Sequence, residues 1–523
     1  MNYRWIGIGA IVLCVAMSSS SAFAEGELII AEAQSPNTLD PQANNNIPTA
    51  SISSNIYDTL VGMDRDMNVV PALALSWETP DATTWVFKLR PDVKFHNGAD
   101  LTAEDVKFSI DRVANWEPEG GFGGVGYISC CIASTSVVDP LTIEIKTKEP
   151  FGALLRSLRT TFIMNKENTE KLMADGGIEA VSNSPMGTGA FKFVEWIKGD
   201  HISLVRNDDW WGPDVGIEKL TFREISSEPT RVAALLSGEV DIASNISPQN
   251  EARLQSSDGV SSIAVEGMRT VGYRFDAIRA QTPGIPGMDN PLLDRRVRQA
   301  IIESVDEDAI IKVVMNGKAT INTQMAGRQH LGFNPRIERL PYDPEHAKTL
   351  LAEAGYADGF PLTIDSTNNR YVNDEQICLA VTQMITKIGI QATCRGRPAS
   401  VFGPAIYQQG DAGDGSMWVF SHVTPTADIS GNLESNFHSN DGTFGAFNPG
   451  YSNVAVDRLI ELSNQTTDQD DRRAYLEGAV SLIMEDAVYL PLHYQFDIYG
   501  MRDSVQWEPR ADGFMTMSDA TLN

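Results

Sequence analysis

The sequence predicts an α/β protein divided into at least two lobes. The chain has 523 residues, too many for a single hydrophobic core. Proline and glycine are scattered through it, and no internal repeat or low-complexity tract interrupts the strand-like and helix-like segments. The clearest local pattern runs from Trp85 to Val113. Trp85-Val86-Phe87-Lys88-Leu89-Arg90 has the aromatic and β-branched composition of a strand. Pro91-Asp92 breaks it, Val93-Lys94-Phe95 resumes alternation, and Asn97-Gly98 supplies turn chemistry with positive φ. Thr102 then stands as an N-cap, with Glu104 and Asp105 in the first turn. Val106, Ile110 and Val113 follow at helical spacing, so a helix runs to about Asn115.

The first 24 residues stand apart from the fold. Arg4 precedes an apolar run from Trp5 to Met17, and Ser-Ala-Phe-Ala precedes Glu25, the pattern of a cleaved secretory signal peptide. The run is short for a bilayer crossing, and no later stretch reaches membrane-helix length. Cys14 follows Val12-Leu13 instead of the small residues that a lipid-anchoring site requires, so a free, exported protein is expected. Acids outnumber bases, 69 against 41, for a formal charge of −28. Such a surface repels nucleic-acid phosphates and anionic lipid heads.

In chain order, Glu27 to Ala31 is a first strand, Ser35 to Pro41 a turn-rich loop, and Thr49 to Leu60 a helix. Glu117 to Cys131 is glycine-rich. Gly121 to Gly126 matches G-x-G-x-x-G in form, but it follows a helix and Pro118 and opens no helix, so it reads as a loop and not a dinucleotide site. Leu141 to Lys146 alternates as a strand. Ser184 to Phe193 leads into a hairpin that continues to Gly212. Arg231 to Ser237 is a helix stopped at Gly238. Gly272 to Asp276 is the expected crossing into the second lobe, and Tyr489 to Ile498 the expected return. Helices are expected over Asp294 to Ser304, Tyr342 to Tyr356 and Gln376 to Lys387.

Four cysteines follow the leader. About ten helical residues after Cys378 advance roughly 15 Å, and four strand residues from Gly389 to Cys394 return roughly 13 Å. The two ends therefore meet. A disulfide between Cys378 and Cys394 is one reading in an oxidising compartment, and two reduced buried thiols are the other. Cys130 and Cys131 are adjacent, so a bond between them would be strained.

The chemistry of the side chains points away from catalysis. His96, His201, His330, His346, His422, His438 and His493 show no HExxH or zinc-ligand spacing. The chain has no G-x-S-x-G, P-loop or C-x-x-C. Paired acids such as Asp208-Asp209 and Glu307-Asp308 sit where solvated faces are usual. A binding protein needs only a cleft between rigid lobes, and no cofactor is implied.

The segment Leu89-Arg90-Pro91-Asp92-Val93-Lys94-Phe95-His96-Asn97-Gly98, followed by Leu101-Thr102-Ala103-Glu104-Asp105-Val106-Lys107-Phe108, resembles the signature of family 5 bacterial extracellular solute-binding proteins. These are the dipeptide, oligopeptide and nickel binders of ABC importers. Ile56-Tyr57-Asp58-Thr59-Leu60, the Gly187-Thr188-Gly189 block and the helix Asp294 to Ser304 are similar to further family blocks, in the family's order. The resemblance implies a two-lobe periplasmic binding protein fold with a ligand cleft between lobes and an extra subdomain in the first. The expected division is 1–24 leader, 25–57 lobe I, 58–183 extra subdomain, 184–273 lobe I, 274–497 lobe II and 498–523 lobe I again.

It also implies a monomer that delivers peptide to two permease subunits and two ATP-binding subunits. A nickel chelate, another small solute such as an oligosaccharide, or a receptor or chaperone role without transport are the alternatives. His422 and His438, which flank the implied cleft strand, make the metal version testable. The residues carried over to the cleft are Asn45, Asn46 and Ile47, then Arg370 and Tyr371 as a cation site for a ligand carboxylate. Trp418, Val419, Phe420 and Ser421 form a strand whose backbone would pair with an extended ligand. Turn, surface and core roles are the bland alternatives for Asn45 and Asn46, Arg370 and Trp418. Ser421 stands where peptide binders commonly carry an Asp for the α-ammonium. Recognition is therefore expected to depend more on an anionic end, unless Asp428 or Glu434 replaces that acid.

Overall fold

A computed structural model describes residues 26–44, 46–115, 128, 131–407, 415–440, 444–445, 447–448 and 450–523. Among them, one eleven-stranded sheet runs through the molecule. It is organised by two long antiparallel strands, Val260–Phe275 and Tyr489–Arg502. At one end Val260–Glu266 pairs with Phe496–Arg502. There the sheet continues through Ile242–Ala243, Glu27–Glu32, Lys219–Glu224, His201–Arg206 and Phe191–Ile197. At the other end Thr270–Phe275 pairs with Tyr489–Tyr494 and, on its far edge, with Met417–His422. Pro361–Thr367 and Gln391–Arg397 extend that end in parallel register.

The two strands thus serve both halves, and their register breaks between Glu266 and Thr270. The break adds twist and calls for a glycine at its centre. A Cβ on Gly267 would lie 2.8 Å from Asp497 Oδ2. The sequence put the crossing at Gly272 to Asp276. The pairing changes earlier, because Thr270 to Tyr273 already lie against Ser421 and its neighbours in the second half.

A separate four-stranded antiparallel sheet holds Ala74–Asp81, Thr84–Leu89, Thr142–Thr147 and Ile132–Asp139, in that order. Its inward side chains, among them Trp85, Phe87, Ile143 and Ile145, form a core with Val106, Ile110 and Val113 of the helix Ala103–Ala114. Alternation in the strand and helical spacing in the helix aim both sets at one interior. The helix start follows its sequence: Thr102 and Asp105 form a reciprocal capping box, which satisfies two of the amides that a helix start leaves open. The glycine-rich Glu117 to Cys131 and the question of a Cys130–Cys131 bond lie largely outside the described residues. Cys131 itself is disulfide-bonded.

One helix is shorter than its sequence suggests. It spans Ile47–Ile56 and not Thr49 to Leu60. Tyr57 is extended (φ −122°), and the next residue is drawn into another network. The Asp58 carboxylate accepts from Thr188 Oγ1 and Trp211 Nε1, both at 2.8 Å. Two bonds to a buried carboxylate outweigh one further helical turn, whose residues differ little in propensity. Downstream, Glu228–Ser237 ends at Gly238, which is left-handed at φ +80°.

Candidate functional site

At the register break the crossing strands border a cavity of about 180 Å³. Segments far apart in sequence supply its walls, including Ile47 at the start of its helix, Met268 and Arg269 at the break, and Asp497 on the return strand. Arg370 and Tyr371 come from the loop after Pro361–Thr367, and Asp512 from the C-terminal stretch. Larger hollows of about 480 and 690 Å³ lie beside Arg339 and between Phe108 and Met173. Each sits within one half of the molecule, whereas the smaller cavity gathers both halves around charged groups.

The Arg370 loop is fixed by a buried acid. Asp374 Oδ2 accepts from the Arg370 amide at 3.0 Å, the Tyr371 amide at 3.2 Å and Thr367 Oγ1 at 2.6 Å. Asp374 also opens the helix Asp374–Thr386, where a negative charge is favoured by the helix dipole. In the same helix Cys378 is disulfide-bonded to Cys394, with Cα atoms 5.8 Å apart. The loop therefore stands on a helix tied covalently to the strand Gln391–Arg397.

The electrostatics of the cavity are uneven. The guanidinium carbons of Arg269 and Arg370 lie 5.5 and 5.4 Å from the centroid of the Tyr371 ring, within cation–π range. Arg269 Nη1 donates to Ser421 Oγ at 3.4 Å. Neither arginine has a carboxylate within 4.0 Å among the described residues. Burial pulls the Arg269 pKa below its ordinary value; the nearby Asp497 carboxylate acts against this, and Arg370 adds to it. Burial raises the Asp497 pKa, with Arg269 opposing. Asp512 is in a different state. Burial would raise it, but Arg159 and Arg510 more than compensate and hold it low. Arg510 Nη2 is 2.8 Å from it, and Arg159 forms a buried ion pair with it.

Ile47, Arg370 and Tyr371 are thus brought together. Asn46 is adjacent in chain, but its side chain caps the Ile47–Ile56 helix, accepting from the Thr49 amide at 2.8 Å. Asn45 lies outside the described residues. The Trp418 side chain takes the core position that its sequence also allowed. It is 1% exposed, in the core beneath Arg274, whose guanidinium carbon is 5.8 Å from its ring. Phe420 is also interior, edge-on to Phe437 and Tyr489 at 5.9 and 6.0 Å. Their strand is central, so its side chains fill cores on both faces.

The backbone is another matter. Pro361–Thr367 pairs only with Met417 and Trp418, so beyond them Val419, Phe420 and Ser421 have no strand partner on that edge among the described residues.

Neither proposed replacement acid is free. Asp428 is bonded to Arg472 and to the Ser430 amide at 2.9 Å, and Glu434 accepts from Asn464 Nδ2 at 2.8 Å. Sequence reasoning missed Arg269 and Asp497. Both lie on long strands that carry other charged residues as well, Glu266 and Arg274 on one and Arg502 on the other, so nothing local marked them out. His422 is held by Asn432 at 2.7 Å, and His438 by the Ser439 carbonyl at 2.8 Å. No group of three His, Cys, Asp or Glu suited to a metal occurs among the described residues.

Comparison with known proteins agrees with this architecture. Residues 68–444 match the family model described as bacterial extracellular solute-binding proteins, family 5 Middle. The glutathione-binding protein GsiB of Salmonella paratyphi A is 27% identical over 499 residues, covering 94% of this chain and 93% of that one. The Helicobacter pylori periplasmic binding protein DppA, solved with the peptide STSA, superposes with a TM-score of 0.76 at 25% identity, over 95% and 98% of the two chains. NikA from Brucella suis, solved with Fe(III)-EDTA, has a TM-score of 0.80 at 24% identity, over 95% and 100%.

Proposed function

The chain belongs to the family 5 bacterial extracellular solute-binding proteins, and from that membership we propose that it captures a small peptide in the periplasm for an ABC importer. The observation that carries the peptide reading is the charge pattern of the cavity. Arg269 and Arg370 lack carboxylate partners and Asp497 faces the same space. A peptide carries carboxylate and ammonium groups that complement both. The free edge of Val419 to Ser421 adds backbone donors and acceptors for an extended chain. GsiB is named for glutathione, and DppA was solved with a peptide; both ligands fit this chemistry.

Function follows by closure. Walls from both halves close over the ligand, and the closed form docks on two permease subunits served by two ATP-binding subunits. The division into lobes is proposed as 25–57, 184–273 and 498–523 for the first, with 58–183 as its extra subdomain, and 274–497 for the second; the register break at Gly267 supports a crossing between the two near this point. No described helix is long and apolar enough to cross a membrane. Export through the cleaved leader and a free monomer complete the proposal. No step alters the ligand covalently.

Native mass spectrometry of protein purified from the periplasm tests this directly. A co-purified peptide, released unchanged and raising the melting temperature with concentration, is the expected result. A chemically altered product, or a metal chelate in place of peptide, would contradict it.

A further inference from the structure

Building on the peptide reading, we propose that the cleft selects ligands of net negative charge with two carboxylates, one for Arg370 and one for Arg269, and that Asp497 receives an ammonium group. The proposal rests on which charges are already satisfied. Asp512 has both Arg159 and Arg510. Among the described residues Arg269 has a hydroxyl, Ser421 Oγ, at 3.4 Å and the Tyr371 ring at 5.5 Å, and no carboxylate within 4.0 Å. Arg370 uses its backbone amide to reach Asp374, and among the described residues its guanidinium has the Tyr371 ring at 5.4 Å and no carboxylate within 4.0 Å. Among the described residues two cations therefore face the cavity without an ion pair, against one acid, Asp497, in the same position.

A zwitterionic dipeptide with neutral side chains brings one carboxylate and one ammonium. With its carboxylate on the exposed Arg370 and its ammonium on Asp497, it leaves the half-buried Arg269 guanidinium without a carboxylate partner among the described residues. An enclosed, unpaired charge is strongly unfavourable, so such ligands are selected against. A second carboxylate removes that penalty and can form a two-bonded pair with the planar guanidinium. The chain geometry supports the arrangement. Gly267 carries no Cβ where one would meet Asp497 Oδ2, so the break that presents Arg269 also leaves room for the acid. The cavity, about 180 Å³, lies below the common range of roughly 300–1,000 Å³ for ligand sites. The ligand class is therefore a short acidic peptide or an amino-acid conjugate bearing two carboxylates.

Calorimetry on the mature protein tests this with the dipeptides Ala-Glu and Glu-Ala against Ala-Gln and Gln-Ala, and with glutarate as a dicarboxylate lacking a peptide bond. At least one acidic dipeptide should bind about tenfold or more tightly than its amide counterpart. Arg269→Gln should reduce that preference to about threefold or less, and Arg269→Lys should restore part of it. Equal binding of acid and amide forms overturns the charge rule and leaves the peptide reading standing. So does an Arg269→Gln variant that weakens both forms equally. Binding of glutarate without any dipeptide overturns the peptide reading and leaves the charge rule standing. No binding in any arm overturns both. The acid-to-amide comparison in the unmodified protein stands even where a variant fails to fold.

Discussion

Arg156 Nη1 donates to the carbonyl oxygens of both Met67 and Ala427, at 3.1 and 3.0 Å, and so joins two turns distant in the chain. Met67 precedes the four-stranded sheet, and Ala427 follows the strand Met417–His422. Both turn residues have positive φ, +62° and +51°. Arg159 reinforces the join through the Pro425 carbonyl while pairing with Asp512 of the cavity. The turn after Val423, a cavity residue, is thus gripped from the opposite half of the molecule.

This grip predicts an effect on closure. Hydrogen bonds to charged groups contribute about 1.5–3 kcal/mol, so Arg156→Ala should speed ligand dissociation by roughly ten- to a hundredfold. Stopped-flow release of bound peptide measures it, and small-angle scattering should show a larger population of expanded molecules. An unchanged release rate would show that Arg156 only braces the fold.

The Cys378–Cys394 bond predicts two linked losses. Its cysteines are separated by 16 positions, and closing a loop of that length stabilises by about 3 kcal/mol. Replacing both cysteines by serine should lower unfolding stability by that order. Ligand affinity should fall too, because the helix supporting the Arg370 loop loses its tether. Peptide mapping without reductant should recover the two cysteines together. Free thiols in periplasmic material would refute the pairing.

Acid sensitivity should centre on buried imidazoles. His493 is 1% exposed, and neither ring nitrogen has a hydrogen-bond partner among the described residues. Burial lowers its pKa to about 4, and burial is also the main cause of a pKa of about 4 at His330. The unfolded value is about 6.5, above the folded one. Their stabilising contribution is therefore complete above pH 6.5 and is lost as pH falls towards and through 4. His493→Leu should flatten that loss by up to about 1.4 kcal/mol per pH unit. Denaturant melts at pH 7, 6 and 5 would show it. Parallel curves for the two proteins would exclude His493 as a contributor.

The Gly187-Thr188-Gly189 block predicts a steric effect. A Cβ on Gly189 would lie 2.6 Å from the Ile56 carbonyl carbon and 2.7 Å from the Asn55 carbonyl oxygen. The Gly189 amide donates to the Ile56 carbonyl at 2.9 Å, so the two backbones cannot separate without breaking that bond. Gly189→Ala should destabilise by about 2 kcal/mol or more. Thermal unfolding that matches the parent would show that the loop can move aside.

Local chemistry was readable wherever a few neighbouring residues carry it. Thr102 and Asp105 announce a helix start because the capping atoms lie within one turn. Cys378 and Cys394 meet because one helix and one strand fix the distance between them. Gly238 ends its helix because its left-handed φ suits no other residue as well. In each case the interaction closes over a short stretch of chain, so spacing and residue type are enough.

The tertiary structure decided what the cleft contains. Trp418 is aromatic on an alternating strand, a pattern shared by core and cleft positions. Its burial followed only once Val260–Phe275 and Pro361–Thr367 were in place on either side. Asp58 ended its helix early because Thr188 and Trp211 arrive from remote segments. Arg269 and Asp497 carry no local mark of function, and their separation along the chain hides their meeting. A break in register between two strands exposes both to one cavity. By itself the sequence determined the family, the α/β class, the local turns and caps, and that Cys378 and Cys394 come close; that they are joined came from the structure. Which charges face one another was left to the tertiary structure, because electrostatic pairing depends on distance in space and not on distance along the chain.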